Sequence, residues 1–273
     1  FIPKDGSWLN ILWDQAIEEK CELLIIDEIQ KVSNWSEALK RIWDLRGDKH
    51  PTLIILGSSS LDLNKGLSES LTGRFINHNF LHWTFDESKK LYNFCIEDFL
   101  KFGGYPGSYE FIKDEILWGN YLKQSIIDTV IGKDILTQVH IKSPILFRQS
   151  FDLICGYSAQ EISYTKLLGN LQDKGNTELI KNFISYFEGA YLIKEIKKYS
   201  GKLLKQKTSS PKIISLCPSL FYAAKNMHFT DEDYGHAFES FIGALLLRKS
   251  GNLYYWREGN FEVDYVYEEK NQL

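Results

Sequence analysis

The sequence predicts an α/β chain in four parts. A parallel-sheet remnant covers 1–84, a helical lid 85–140, a winged-helix domain 141–216 and a small α+β module 217–273. Three observations lead there. Leu23-Leu24-Ile25-Ile26 and Thr52-Leu53-Ile54-Ile55-Leu56 are unbroken apolar runs on either side of an amphipathic stretch, and buried parallel strands read this way. Helical stretches followed by two β-like runs, Tyr191 to Tyr199 and Lys212 to Leu216, have the order of a winged helix. A last helical stretch and a hairpin, turned at Glu258-Gly259-Asn260, close the chain.

In order, Leu9, Leu12, Trp13 and Ile17 recur at helical spacing and predict a helix over Trp8 to Lys20. The run ending in Asp27-Glu28 is the first strand. Leu39, Ile42, Trp43 and Leu45 mark an amphipathic helix over Trp35 to Arg46, with Gly47 as its stop. The second strand, leaving through Gly57-Ser58-Ser59-Ser60, completes one strand–helix–strand unit. A helix is expected from Asp86 to Phe102, ended by Gly103-Gly104-Tyr105-Pro106-Gly107, and another over Tyr109 to Leu136. Helices are expected again from Pro144, around Tyr164 to Leu171, from Thr177 (as N-cap) to Glu188, and from Tyr234 to Lys249.

A chain of 273 residues, 44% hydrophobic and 25% charged, is long enough for a sizeable core and two or three domains. A net charge of -4 gives no global attraction to nucleic acid or to an anionic membrane. Cys21, Cys95, Cys155 and Cys217 lie far apart, without metal-ligand or disulfide-framework spacing, so a reducing cytoplasm is the compartment expected. No apolar run is long enough to span a bilayer, and no membrane partner is expected. Phe1 is not a natural start, and the sequence reads as a fragment.

Leu23 to Glu28 carries the chemistry. An Asp at the carboxyl end of a parallel strand lies where such sheets bind ligands, and its carboxylate suits Mg²⁺. A Glu one residue on can orient a water for attack on a γ-phosphate. The alternative is a buried strand that ends in acidic loop residues. Ser58, leaving the neighbouring strand, stands where a γ-phosphate sensor belongs, unless Gly57-Ser58-Ser59-Ser60 is only a turn. Arg74, in Leu71-Thr72-Gly73-Arg74-Phe75, can neutralise phosphate charge in cis or from a neighbouring subunit, or can be a surface arginine paired to a carboxylate.

In this order LLIIDEIQKV, GSSS, LTGRF and FGGYPG resemble a group of prokaryotic AAA+ (P-loop) ATPases with a C-terminal domain of uncharacterised function, and the likeness runs through Tyr255-Trp256-Arg257 and Glu262-Val263-Asp264. It implies ATP and Mg²⁺ as cofactors, Asp27 as the Mg²⁺ residue, Glu28 as the catalytic glutamate, Ser58 as sensor and Arg74 as a finger. One element departs: the loop G-x-x-x-x-G-K-[ST] occurs nowhere in the 273 residues. It is expected upstream of residue 1, so this chain is expected to hold half of a nucleotide site. The whole would bind and hydrolyse ATP and change conformation, with a client protein or further copies of itself as partners.

Glu239 on a helix and Asp264 on a later strand resemble the restriction-endonuclease-like arrangement, whose E-x-K element is expected beyond Leu273; an inactive copy is the reading favoured. From Lys194 to Lys212 there are seven lysines and one acid, Glu195. A wing carrying Lys197, Lys198 and Lys202 against DNA phosphates is one reading, and a solvated loop or protein-contact surface the other. The rivals to the ATPase are therefore a DNA-binding or nuclease-like module with a vestigial ATPase part, and a non-catalytic interaction protein.

Overall fold

The computed structural model describes residues 5–47, 50–57, 71–137, 139–171, 176–200, 209–249 and 252–267. They fall into two compact units, 1–79 and 80–273.

In the N-terminal unit, α1 (Gly6–Glu18) starts at Asp5, whose carboxylate accepts from the Ser7 backbone N–H at 3.0 Å. It packs against α2 (Trp35–Leu45), and a Cβ added at Gly6 would stand 2.9 Å from that of Ala38, so only glycine lets the helices meet there. Between them in sequence lies β1 (Leu23–Ile26), which pairs in parallel with β2 (Thr52–Ile55) in the register Leu23↔Thr52 to Ile26↔Ile55. Leu24, Ile26, Leu53 and Ile55 join the helix faces of Leu9, Trp13, Trp35, Ala38, Leu39 and Ile42. The alternate residues Leu23, Ile25 and Ile54 remain exposed among the described residues. The continuous apolar runs lead one to expect cover on both faces; here a period of two divides them into a covered and an open side.

The C-terminal unit begins with α3 (Phe85–Tyr92) and α4 (Ile96–Phe102). The sequence predicts a single helix here. Asn93, at φ 56°, turns the chain left-handed, and a new capping box, Cys95 with Asp98, starts the second helix as Thr84 with Glu87 starts the first. The stretch expected as one helix from Tyr109 holds a 3₁₀ turn (Pro106–Phe111), α5 (Glu115–Tyr121) and π-helical turns at Leu122–Ile127 and Val130–Ile135. Then follow α6 (Pro144–Cys155), α7 (Tyr164–Asn170) and α8 (Thr177–Gly189). The cap of α8 is Asn176, accepting from the Leu179 N–H at 3.1 Å, and not Thr177 as expected.

Next come β3 (Ile193–Lys198), β4 (Lys212–Ser215), α9 (Pro218–Ala224), α10 (Asp231–Lys249), β5 (Leu253–Glu258) and β6 (Phe261–Tyr267). The two hairpins are one sheet, in the order β4-β3-β5-β6. β3 pairs antiparallel with β4, and parallel with β5 at Lys197↔Tyr254 and Lys198↔Tyr255. Helices α6 and α8, the covered end of α10 and the sheet share a core that includes Trp118, Phe147, Phe151, Phe187, Phe221 and Ile213.

FGGYPG is a joint within this unit. Gly103 (φ 65°) and Gly104 leave no room for a Cβ: one at Gly104 would lie 2.2 Å from the Trp83 carbonyl oxygen. The Trp83 N–H donates to the Gly104 carbonyl at 2.9 Å, and His82 Nε2 lies 2.7 Å from Tyr105 Oη.

Candidate functional site

At the carboxyl end of β1 the chain does not stop but hooks over β2. Leu56 N–H donates to the Ile26 carbonyl at 2.8 Å, and Ile29 N–H to the Leu56 carbonyl at 3.1 Å. The reversal falls on Glu28, which is left-handed (φ 54°, ψ 44°). A non-glycine residue pays conformational energy there, of order 1–3 kcal/mol, and such residues cluster at functional sites. Asp27 is exposed, and its Oδ1 accepts from the Glu28 N–H at 2.9 Å. The half-buried Glu28 carboxylate is held through Oε2, by Gln30 Nε2 at 2.9 Å and Lys31 Nζ at 3.1 Å.

Asp27 and Glu28 are thus adjacent carboxylates with distinct roles open to them. Asp27 faces solvent, as suits a hard cation held through oxygen and water. Glu28 is aimed by two side chains that the motif reading passed over. Gln30 and Lys31 carry a signal only in retrospect: polar residues two and three places after a left-handed Glu can turn back onto it. The pattern G-x-x-x-x-G-K-[ST] is absent from the 273 residues, and the two carboxylates offer the oxygen donors that suit Mg²⁺ and water.

Ser58 lies outside the described residues. Arg74 is not brought to Asp27 and Glu28. Its Nε donates to Asp44 Oδ1 at 3.1 Å, and Asp44 lies in the last turn of α2.

In the C-terminal unit, Glu239 and Asp264 do come together, around a residue the sequence suggested only as part of a lysine-rich stretch. Lys212 Nζ lies 2.7 Å from Glu239 Oε1, 3.3 Å from Glu262 Oε1 and 3.3 Å from Asp264 Oδ1. A register shift in β5–β6 between Tyr254 and Trp256 lets consecutive residues serve this one place. Asp264 reaches Lys212, while Tyr265 Oη donates to the Glu239 carbonyl at 2.8 Å. Arg257 is held by Glu161 at 3.1 Å and by Glu262 at 3.7 Å. Burial alone would push the Lys212 ammonium below the ordinary lysine range; Glu239 and Asp264 outweigh it and hold it above. Burial pushes the Glu239 carboxyl up, with Lys212 opposing.

Of the proposed wing lysines, Lys197 is exposed and Lys198 half-buried, both on the seam between β3 and β5. Lys202 lies outside the described residues. Lys194 pairs with Glu188 at 3.1 Å.

Residues 95–231 match a domain of unknown function (DUF8612), and residues 4–89 match an AAA domain. Uncharacterized protein MJ1544 of Methanocaldococcus jannaschii is 28% identical over 295 residues, an alignment that covers 96% of this chain and 64% of that protein. The chain therefore spans less than two thirds of the length of this relative. No solved structure matches. Among the described residues, no helix is long and apolar enough to cross a membrane.

Proposed function

We propose, for a chain that belongs to the family of the domain of unknown function DUF8612 and carries an AAA domain ahead of it, that the N-terminal unit is the metal- and water-handling half of an ATP-hydrolysing site. An AAA domain is a nucleotide-binding, ATPase-like domain. The observation that carries the finer reading is Glu28: a strained, side-chain-clamped carboxylate beside the exposed Asp27, at the carboxyl end of a parallel strand.

Bound Mg²⁺ supplies charge neutralisation at the phosphates. Asp27 is the residue that would hold it, and Glu28 orients a water and accepts its proton. Gln30 and Lys31 fix the direction of the Glu28 carboxylate. Ser58 is proposed as the sensor. Arg74 is carried as a finger for the site of a neighbouring copy, against the alternative of a surface arginine paired to a carboxylate, which its ion pair with Asp44 matches. ATP turnover would drive a conformational change, with the client unspecified.

For the C-terminal unit we carry the winged-helix reading on α7, α8 and the β3–β4 hairpin, and the endonuclease-like reading, as an inactive copy, on α10 with β5–β6. Since the hairpins form one sheet, neither part stands free of the other. DNA is a second ligand reading, favoured by Lys197, which is exposed with no ion pair among the described residues; steep loss of affinity with added salt is its signature.

The ATPase reading is tested in the full-length protein. Glu28→Gln is expected to keep Mg-ATP binding by calorimetry and to lose turnover by about 100-fold, since an amide spares the phosphates but cannot take the proton. Residues 1–273 alone are expected to show no measurable ATP binding. Tight binding by this chain, or full turnover in Glu28→Gln, would place the site elsewhere.

A further inference from the structure

Between α4, the segment before α3 and the C-terminal half of α10 lies a cavity of about 20 Å³, partly open to solvent. Phe99, Leu216, Phe241 and Ala244 give it apolar walls, and His82 and Arg248 bring nitrogen to it. Thr84 and Cys217 also line it, but both are engaged. Thr84 caps α3 with Glu87, while Cys217 Sγ accepts from the Gly104 N–H at 3.1 Å and lies 3.2 Å from Ser219 Oγ.

His82 is only half engaged. Its Nε2 lies 2.7 Å from Tyr105 Oη, which has no other hydrogen-bond partner among the described residues. Burial pushes that phenol well above its usual range, so it stays protonated and its O–H donates to Nε2. Burial also lowers His82 to about 4, so the ring is neutral near pH 7 and its one proton stands on Nδ1. Nδ1 is buried without a hydrogen-bond partner. The Leu216 backbone raises the proton affinity of the ring but does not meet Nδ1 in a hydrogen bond. A buried N–H left unmet is costly, and in a native protein it calls for an occupant.

Arg248 is a cation without a counterion. It enters none of the described ion pairs, and one of its N–H groups donates to the His82 carbonyl. The acid that acts on it, Glu87, is taken up by Thr84, whose N–H and O–H reach Oε2 at 2.7 and 2.8 Å. Arg248 is exposed, so an incoming ligand can reach it.

A guanidinium and a neutral N–H donor beside apolar walls suit an acceptor that is anionic, planar and backed by hydrocarbon. A carboxylate has that form: two oxygens for two donors, and an alkyl end for the walls. Phosphate would turn oxygens towards phenylalanine and leucine, where nothing can meet them. Since a water-sized group needs about 10–15 Å³, the alkyl part is limited to one or two carbons. We infer that this cavity is a binding site for a small organic carboxylate, held by Arg248 and by the His82 Nδ1–H. The site is independent of the ATPase and DNA readings.

The test is ligand-observed NMR on residues 1–273 with acetate as the probe, titrated to a dissociation constant. Acetate is expected to bind at least ten-fold more tightly than acetamide, which lacks the charge. It is expected to bind about four-fold more tightly than formate, which lacks the methyl group. Inorganic phosphate at equal concentration is expected to leave acetate bound. Arg248→Gln and His82→Gln are each expected to weaken acetate at least five-fold with circular dichroism unchanged. If either variant does not fold, Ala244→Val, which fills the cavity and leaves both donors in place, is expected to weaken acetate likewise. No measurable acetate binding overturns the inference, as does acetamide binding as tightly as acetate. Displacement of acetate by equal phosphate, or acetate binding that survives these substitutions, overturns it as well.

Discussion

The two units solve the burial of strands in opposite ways. Among the described residues of the N-terminal unit, the strands are joined by one local crossover and give only alternate side chains to a cluster of ten buried residues; Ile25 is left 55% exposed and Leu23 47%. In the C-terminal unit, β3 and β5 are more than fifty residues apart in sequence yet paired. Every residue of β4 is buried, in or beside a core with twenty-nine buried members among the described residues. The first arrangement is cheap in loop closure and poor in burial; the second is the reverse. An apolar strand face open to water is a surface fit for further structure, and the same strands carry Asp27 and Glu28. The unit proposed to turn over nucleotide is thus the one with the smaller buried cluster among the described residues.

The largest expected effect attacks the better-buried unit. Phe147 is fully buried and stacked on Phe187 at 4.5 Å between ring centroids. Phe147→Ala is expected to cost about 3–5 kcal/mol, read as loss of hydrogen-exchange protection in residues 80–267 by mass spectrometry. A similar loss of protection from truncating a residue of so large a core would be hard to confine; if protection fell equally in residues 5–57, the division into units would fail.

Next is a pH effect belonging to the C-terminal unit. Burial, helped by the charge of Arg248, lowers His82 from 6.5 to about 4. Between those values the unfolded chain takes up a proton that the folded chain refuses. The stabilisation is therefore full above pH 6.5 and falls as pH drops towards 4, by up to about 3 kcal/mol. Urea titrations at pH 7 and pH 4.5 should show the fall, and His82→Gln should flatten it. An unchanged slope in His82→Gln would assign the acid sensitivity to other groups.

The smallest effect probes the open face. Ile25→Thr in residues 1–273 is expected to change stability by no more than about 0.5 kcal/mol, as an exposed substitution does. A loss of 2 kcal/mol or more in the same chain would show that Ile25 is covered in solution, and the contrast between the units would narrow.

Much of this was legible in residue order. The strand–helix–strand unit, the acidic pair at its strand end and the FGGYPG break are local patterns, set by side-chain period, strand termination and glycine. The Asn93 break was not read, because a left-handed asparagine inside an otherwise helical run leaves little trace without its following cap. Gln30 and Lys31 escaped for a similar reason: their relation to Glu28 depends on a backbone reversal that no spacing encodes.

By itself, then, the sequence determined what neighbours in the chain can decide: helix faces, strand runs, and the pair of carboxylates at the end of β1 where ion chemistry is proposed. Tertiary structure alone decided which charges meet. Arg74 finds Asp44 rather than Glu28, the two hairpins fuse through β3 and β5, and Lys212 is drawn out of a lysine-rich stretch into a cup formed by Glu239, Glu262 and Asp264. The reason is physical. Periodicity acts over a few residues, whereas a buried charge takes its partners from whatever elements the core brings to it, and those lie 27, 50 and 52 residues away from Lys212.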